Sequence, residues 1–142
     1  MTVFHHNSYI KSYTQRIKFT AKKLDDFDLV IECHFNAASE LANGCETLYY
    51  FASKKGKVYA RLFSEIAHKT TGIKLRNNGL KALVSKRDRG FQAVYQPKPP
   101  TILIEPFFGS NKSDCQKIRN PENVAFIINE FLYELRQIYT II

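Results

Sequence analysis

His34 and Glu105 are the two side chains whose positions suggest chemistry. His34 follows the apolar run Phe27–Cys33 directly, and Glu105 ends the apolar run Thr101–Glu105. Both runs are typical of buried strands, and in open α/β sheets ligands bind beyond the carboxyl ends of the strands. Burial would raise the pKa of the Glu105 carboxyl group and suit it to proton transfer. A structural histidine and an ion-paired glutamate would fit the same positions, so these two residues indicate a site without specifying it.

The elements that must position these residues alternate between helical and strand patterns. Helices are predicted after Ser12, after Ser53 with an end at Gly72, and from Pro121. Further strands are predicted at 46–51 and, more weakly, at 90–95, and the proline-rich segment 96–100 must be a loop. The apolar face expected for the last helix consists of Val124, Ile127, Ile128, Phe131, Leu135 and Ile138. This alternation predicts one domain over residues 1–142, a three-layer α/β/α fold with a mostly parallel sheet.

Composition limits the classes of partner. The net charge of +8 and the pI near 9.4 suit a polyanionic partner but do not choose one. No nucleic-acid-binding pattern occurs, no apolar run is long enough for a membrane span, and the first residues show no signal peptide. We therefore expect neither a nucleic acid nor a membrane as partner. The three cysteines, Cys33, Cys45 and Cys115, form no CxxC pair and are expected to be free thiols.

Five short blocks, in the right order, resemble the type 3 N-acetylmuramoyl-L-alanine amidases, which cut peptide stems from bacterial cell-wall glycan. His34–Ala37 is similar to the family motif S-x-H-x-N-A, and Gly44–Tyr50 is similar to G-x-E-x-x-Y. The remaining blocks are Arg89-Gly90, Pro100–Glu105, which resembles P-A-x-L-x-E, and Phe108–Asn111 with Asp114, which resembles G-F-x-S-N-x-x-D. The resemblance covers nearly the whole chain.

The resemblance implies a zinc hydrolase that acts on peptidoglycan. In that family a histidine, a glutamate and a second histidine hold one zinc ion, and another glutamate takes a proton from the attacking water. His34 matches the second histidine ligand, and Glu105 matches the catalytic glutamate. Asn36 matches the asparagine that braces the site or contacts the substrate. We therefore expect His34 and Glu105 to face each other across the carboxyl edge of the sheet.

The chain differs from the family pattern at its N-terminal residues. The first zinc histidine and the zinc glutamate come from a strand and helix with no counterpart here, because Met1–His6 looks like the family's second strand. Three explanations stay open: a fragment or internal start, a degenerate relative that no longer cuts, or replacement of a ligand by His5 or His6. Zinc binding by this chain is accordingly doubtful, and the alternative function is a non-catalytic, basic wall-binding protein. His68 is expected to face solvent and to have no role. The cellular location and the oligomeric state are not predicted.

Overall fold

The computed structural model describes Ile17 and residues 20–140, with side chains as far as Ile138. The predicted strand Met1–His6 and most of the predicted helix after Ser12 lie outside these residues. The described elements are a 3-10 turn at Lys22–Leu24, β1 (Val30–Cys33), β2 (Cys45–Tyr50), α1 (Lys54–Thr71), β3 (Leu75–Leu83), α2 (Phe91–Tyr95), β4 (Thr101–Glu105), α3 (Lys112–Ile118) and α4 (Pro121–Thr140).

The four described strands form one sheet in the order β1-β4-β2-β3. β1 runs parallel to β4 and β2 runs parallel to β3, whereas the central pair, β2 and β4, is antiparallel. The sheet is therefore mixed, with two of its three pairings parallel. This direction change has a consequence for the site, because the amino ends of β2 and β3 lie at the same edge as the carboxyl ends of β1 and β4.

Helices cover both faces of the sheet, as the three-layer prediction requires. On one face α1 and α4 pack together and against β4, and the rings of Phe63 and Phe131 meet edge to face with centroids 5.6 Å apart. On the other face Phe91 and Val94 of α2 pack on Leu48 and Leu103 of the central strands. The apolar residues of β4 thus alternate between two cores, which is why this strand reads as continuously buried.

Local sequence signals set the ends of the long helices. The Ser53 hydroxyl group accepts a hydrogen bond from the Gly56 N–H at 3.0 Å, and Gly72 ends α1 in the left-handed conformation with φ of 67°. α4 begins at Pro121 as predicted, but Ile138 is 40% exposed, so the expected apolar face does not extend that far. No helix in the described part of the chain is long and apolar enough to cross a bilayer.

One predicted element is wrong, one element was missed, and one begins later than predicted. The segment expected as a strand at 90–95 is the helix α2, because Phe91 and Val94 are three residues apart and share one buried face. β3 was not predicted, since the polar run 76–79 interrupts its apolar pattern. The first strand begins at Val30, three residues later than Phe27.

Candidate functional site at the sheet edge

Pairing of β1 with β4 brings His34 beside Glu105. Cys33 is the register partner of Ile104, and the His34 N–H donates to the Ile104 carbonyl oxygen at 3.1 Å. The pairing resumes at the bridge between Asn36 and Phe108. Parallel register partners project to the same face, so His34 and Glu105 share one face at the carboxyl edge. The structure thus has both residues at this edge of the sheet, and their roles in a site stay predictions.

A carboxylate lies directly against the His34 ring. The Nε2 atom of His34 is 2.8 Å from Oε1 of Glu32, two residues earlier on the same face of β1. This hydrogen bond is the main reason that the pKa of His34 is raised, and partial burial of the ring opposes the effect. Glu32 stands at the serine position of the S-x-H motif, so this partner is a difference between the chain and the motif.

Glu105 lies in an environment suited to proton exchange. Burial is the main cause that raises the pKa of its carboxyl group, and the negative charge of Glu46 adds to it. The positive charges of Lys81, His34 and Arg89 oppose these effects without cancelling them. A carboxyl group with a raised pKa is a better proton acceptor near neutral pH than an ordinary exposed glutamate.

Glu46 is the central polar residue of the site and was given no role by the sequence analysis. It is 2% exposed and is the register partner of Glu105 on the neighbouring antiparallel strand. Its carboxylate accepts hydrogen bonds from the side-chain amides of Asn36 at 3.0 Å and Asn77 at 3.1 Å, and Nε of Arg76 is 3.5 Å away. Two signals could have found it: it is the glutamate of the motif block Gly44–Tyr50, and it is the only charged residue of its strand.

Asn36 is held by both ends of its side-chain amide. Its Nδ2 donates to Glu46, and its Oδ1 accepts from the Ala37 N–H at 2.9 Å. Its backbone donates to the Phe107 carbonyl oxygen and accepts from the Gly109 N–H at 2.8 Å. These contacts connect the two loops of the edge, and the bracing role that the family resemblance implies stays a prediction.

The last motif block, Phe108–Asn111 with Asp114, connects these loops by hydrogen bonds. One oxygen of the buried Asp114 carboxylate accepts the N–H groups of Gly44 at 2.9 Å and Phe108 at 3.2 Å. The Asn111 side chain caps α3 by accepting the Asp114 N–H, and it donates to the Glu40 carbonyl oxygen at 2.7 Å. This block therefore fixes the loops that carry the site.

The described residues do not supply a complete zinc site. None of their histidine, cysteine and acidic side chains form a group of three that could hold a metal ion, whereas a catalytic zinc normally has three protein ligands. His5 and His6, the suggested replacements, lie outside the described residues. His68 is exposed on α1, as expected, and its Nδ1 is 2.7 Å from the Ile73 carbonyl oxygen. All three cysteines are free.

Comparison with known proteins identifies the family. The family model for N-acetylmuramoyl-L-alanine amidase matches residues 2–132, and the chain belongs to this family. No curated protein matches the chain.

Solved structures of amidases share the fold. The chain is similar to the catalytic domain of the CD27L endolysin that targets Clostridia difficile, with 28% identity, a TM-score of 0.74, and coverage of 93% of this chain and 69% of that domain. A structure described as a putative N-acetylmuramoyl-L-alanine amidase from Neisseria meningitidis shares 27% identity at a TM-score of 0.70, covering 84% of this chain and 64% of that one. The chain thus spans about two-thirds of the length of these structures.

Proposed function

We propose that this chain carries part of the active site of a peptidoglycan hydrolase that cuts the amide bond between N-acetylmuramic acid and the L-alanine of the stem peptide. The observation that carries the proposal is the placement of His34 and Glu105 side by side at the carboxyl edge of β1 and β4. Membership of the amidase family supplies the reaction class. The proposed substrate is the bacterial wall, in keeping with the similar endolysin domain, which targets a bacterium.

Glu105 is the proposed proton-transfer residue. Its raised pKa, caused by burial and by Glu46, lets its carboxylate accept a proton from the attacking water and then give that proton to the leaving L-alanine amine. Glu46 and Asn36 do not react in this scheme. They hold the edge rigid through the hydrogen bond between them, so that Glu105 and His34 keep a fixed separation.

His34 is the proposed zinc ligand of this chain. A zinc ion bound in such a site polarises the scissile carbonyl group and acidifies water. Since the described residues form no three-ligand group, the other ligands must come from outside them. A single imidazole replaces only one ligand of the hydrated ion, so we expect negligible zinc affinity for the 142-residue chain.

Zinc titration by calorimetry tests the ligand assignment. The comparison uses the chain itself and an extended chain, which is the same chain preceded by a strand and helix from a solved relative that carry one histidine and one glutamate. We expect one zinc per molecule only in the extended chain, at least tenfold weaker binding in its His34→Ala variant, and unchanged binding in the matched His68→Ala variant. Micromolar zinc binding by the 142 residues would contradict this, and His5→Ala and His6→Ala would then identify the replacement ligand.

The alternative function is wall binding without cleavage. The lack of a three-ligand group among the described residues favours it for the chain alone. Incubation with purified peptidoglycan separates the two functions, because sedimentation measures binding and newly formed L-alanine amino termini measure cleavage. We expect the extended chain to bind and cut. Binding by the extended, zinc-loaded chain without any release of peptide would support the alternative.

A further inference from the structure

We infer that Arg76 is a specificity residue that binds a carboxylate of the stem peptide, on the residue that follows L-alanine. This inference rests on the proposed peptidoglycan substrate and adds a contact that neither Glu105 nor His34 provides. Three observations support it: the contacts that hold the Arg76 side chain, the backbone conformation of β3 around it, and its distance from Glu105.

The Arg76 guanidinium group is held from two sides. Its Nε is 3.5 Å from the carboxylate of the buried Glu46, and its central carbon lies 5.3 Å from the centroid of the Phe108 ring. Phe108 is 1% exposed, whereas the Arg76 side chain remains 45% exposed. Within the described residues this group has no second ion-pair partner, so its terminal nitrogens are available to an incoming carboxylate. A guanidinium fork matches a carboxylate in bidentate geometry.

A distortion of β3 places Arg76 there. The pairing of β2 with β3 shifts from Cys45 opposite Leu75 to Thr47 opposite Leu80, so that residues 76–79 bulge out opposite Glu46. Asn77 and Asn78 have φ values of 49° and 57°, in a region that non-glycine residues rarely occupy. Asparagine adopts this region more readily than other non-glycine residues, and bulges beside active sites redirect side chains. Here the bulge directs both Arg76 and Asn77 onto Glu46.

Distance and charge fit a carboxylate close to the scissile amide. Glu46 is the register partner of Glu105, and β3 lies two strand spacings from β4, which is about 10 Å. Two extended peptide residues span about 7 Å, and the long arginine side chain covers the remainder. The exposed cations Lys81 and Arg89 also act on Glu105. With Arg76 the site has three cations beside the carboxylates of Glu32, Glu46 and Glu105, and Arg76 is the cation placed to accept an anion.

Paired soluble probes test this inference. The two probes are N-acetylmuramoyl-L-alanyl-D-glutamic acid and N-acetylmuramoyl-L-alanyl-D-isoglutamine. They differ in one group, because the first has an α-carboxylate where the second has an α-carboxamide. Their affinities are measured by NMR titration of the chain in the presence of a chelator, which prevents hydrolysis. We expect the wild-type chain to prefer the acid by about tenfold. Arg76→Gln should abolish the preference while changing the affinity for the amide by less than about twofold, and Arg76→Lys should keep part of it.

Arg61→Gln is the matched control, because Arg61 is an exposed arginine on α1, and it should keep the full preference. Unfolding curves exclude misfolded variants. Equal binding of the two probes by the wild-type chain, no binding of either, or an equal loss in Arg61→Gln would overturn the inference. The readout does not depend on cleavage: a preference that depends on Arg76 in a protein that never releases peptide would uphold the inference and overturn the proposed function.

Discussion

At the scale of residues, the carboxyl groups of Glu46 and Glu105 have different environments in the candidate site. Glu46 and Glu105 are register partners on adjacent strands, but only Glu46 has two amide donors and an arginine against its carboxylate. These donors and the Arg76 guanidinium group contact the Glu46 carboxylate, whereas burial and the charge of Glu46 raise the pKa of Glu105. Carboxyl groups in different environments can take different roles, and Glu105 is the one for which we propose proton transfer.

Replacing Glu105 by glutamine tests this difference through stability. The pKa of Glu105 in the folded chain is raised above its ordinary value of 4.5, so its favourable contribution is fully present below that value and is lost as pH rises through the folded pKa. We expect Glu105→Gln to be more stable than the wild-type chain at pH 7 and equally stable below about pH 4, in urea unfolding with a chelator present. The exposed Glu65→Gln on α1 is the control. A Glu105→Gln variant that is less stable at pH 7 would contradict the raised pKa.

Asp114 supports the site through the backbone. Removing its carboxylate in Asp114→Ala leaves the N–H groups of Gly44 and Phe108 without their acceptor, and because the position is buried we expect a loss of about 2–4 kcal/mol in the free energy of unfolding. Asp88 is a matched control, since one of its oxygens also accepts two backbone N–H groups, those of Val84 and Ser85. Asp88 is only partly buried, so water can replace its carboxylate and Asp88→Ala should cost clearly less. Equal losses in the two variants would contradict this account.

At the scale of elements, the mixed sheet brings together residues that are far apart in sequence. The carboxyl ends of β1 and β4 contribute His34 and Glu105, and the amino ends of β2 and β3 contribute Glu46 and Arg76. An entirely parallel sheet would have placed the second pair at the opposite edge. The antiparallel contact between β2 and β4 is therefore the feature of the fold that completes the polar cluster.

The bulge in β3 gives a test at this scale. Gly79 has φ of 77°, and a Cβ atom there would lie 2.7 Å from Cβ of the buried Ser64. Gly72 has a similar φ of 67° but open space around it. We expect Gly72→Ala to cost about 1 kcal/mol from backbone strain alone, and Gly79→Ala to cost about 3 kcal/mol or more because overpacking is added. Chemical unfolding measures both, and similar losses would show that the bulge can relax.

The sequence predicts those elements whose signals are local. β4, the helix between Ser53 and Gly72, and the helix from Pro121 follow from apolar runs and caps, and the motif blocks locate His34 and Glu105. Strand direction and the bulge at 76–79 depend on pairing between distant segments, which no local pattern encodes. For this reason Arg76 and Asn77 were not predicted as parts of the site, and Glu46, although it lies in the motif block Gly44–Tyr50, was given no role.

At the scale of the whole molecule, the central claim is that this chain supplies the proton-transfer half of a peptidoglycan amidase site. Three observations support it: membership of the amidase family, the fold shared with solved amidases, and the edge where His34 and Glu105 meet. The net charge of +8 suits an anionic wall but does not identify the reaction. The reaction is identified only by determining which bond of the peptidoglycan is cleaved.

The most direct measurement is the identity and rate of formation of new amino termini when the extended, zinc-loaded chain acts on purified peptidoglycan. We predict that L-alanine is the new amino terminus. Glu105→Gln should slow its release by about a hundred- to ten-thousand-fold, the usual contribution of a general base, and the control Glu65→Gln should cut at the wild-type rate. A different new amino terminus, or a Glu105→Gln variant that cuts as fast as the wild type, would contradict the account.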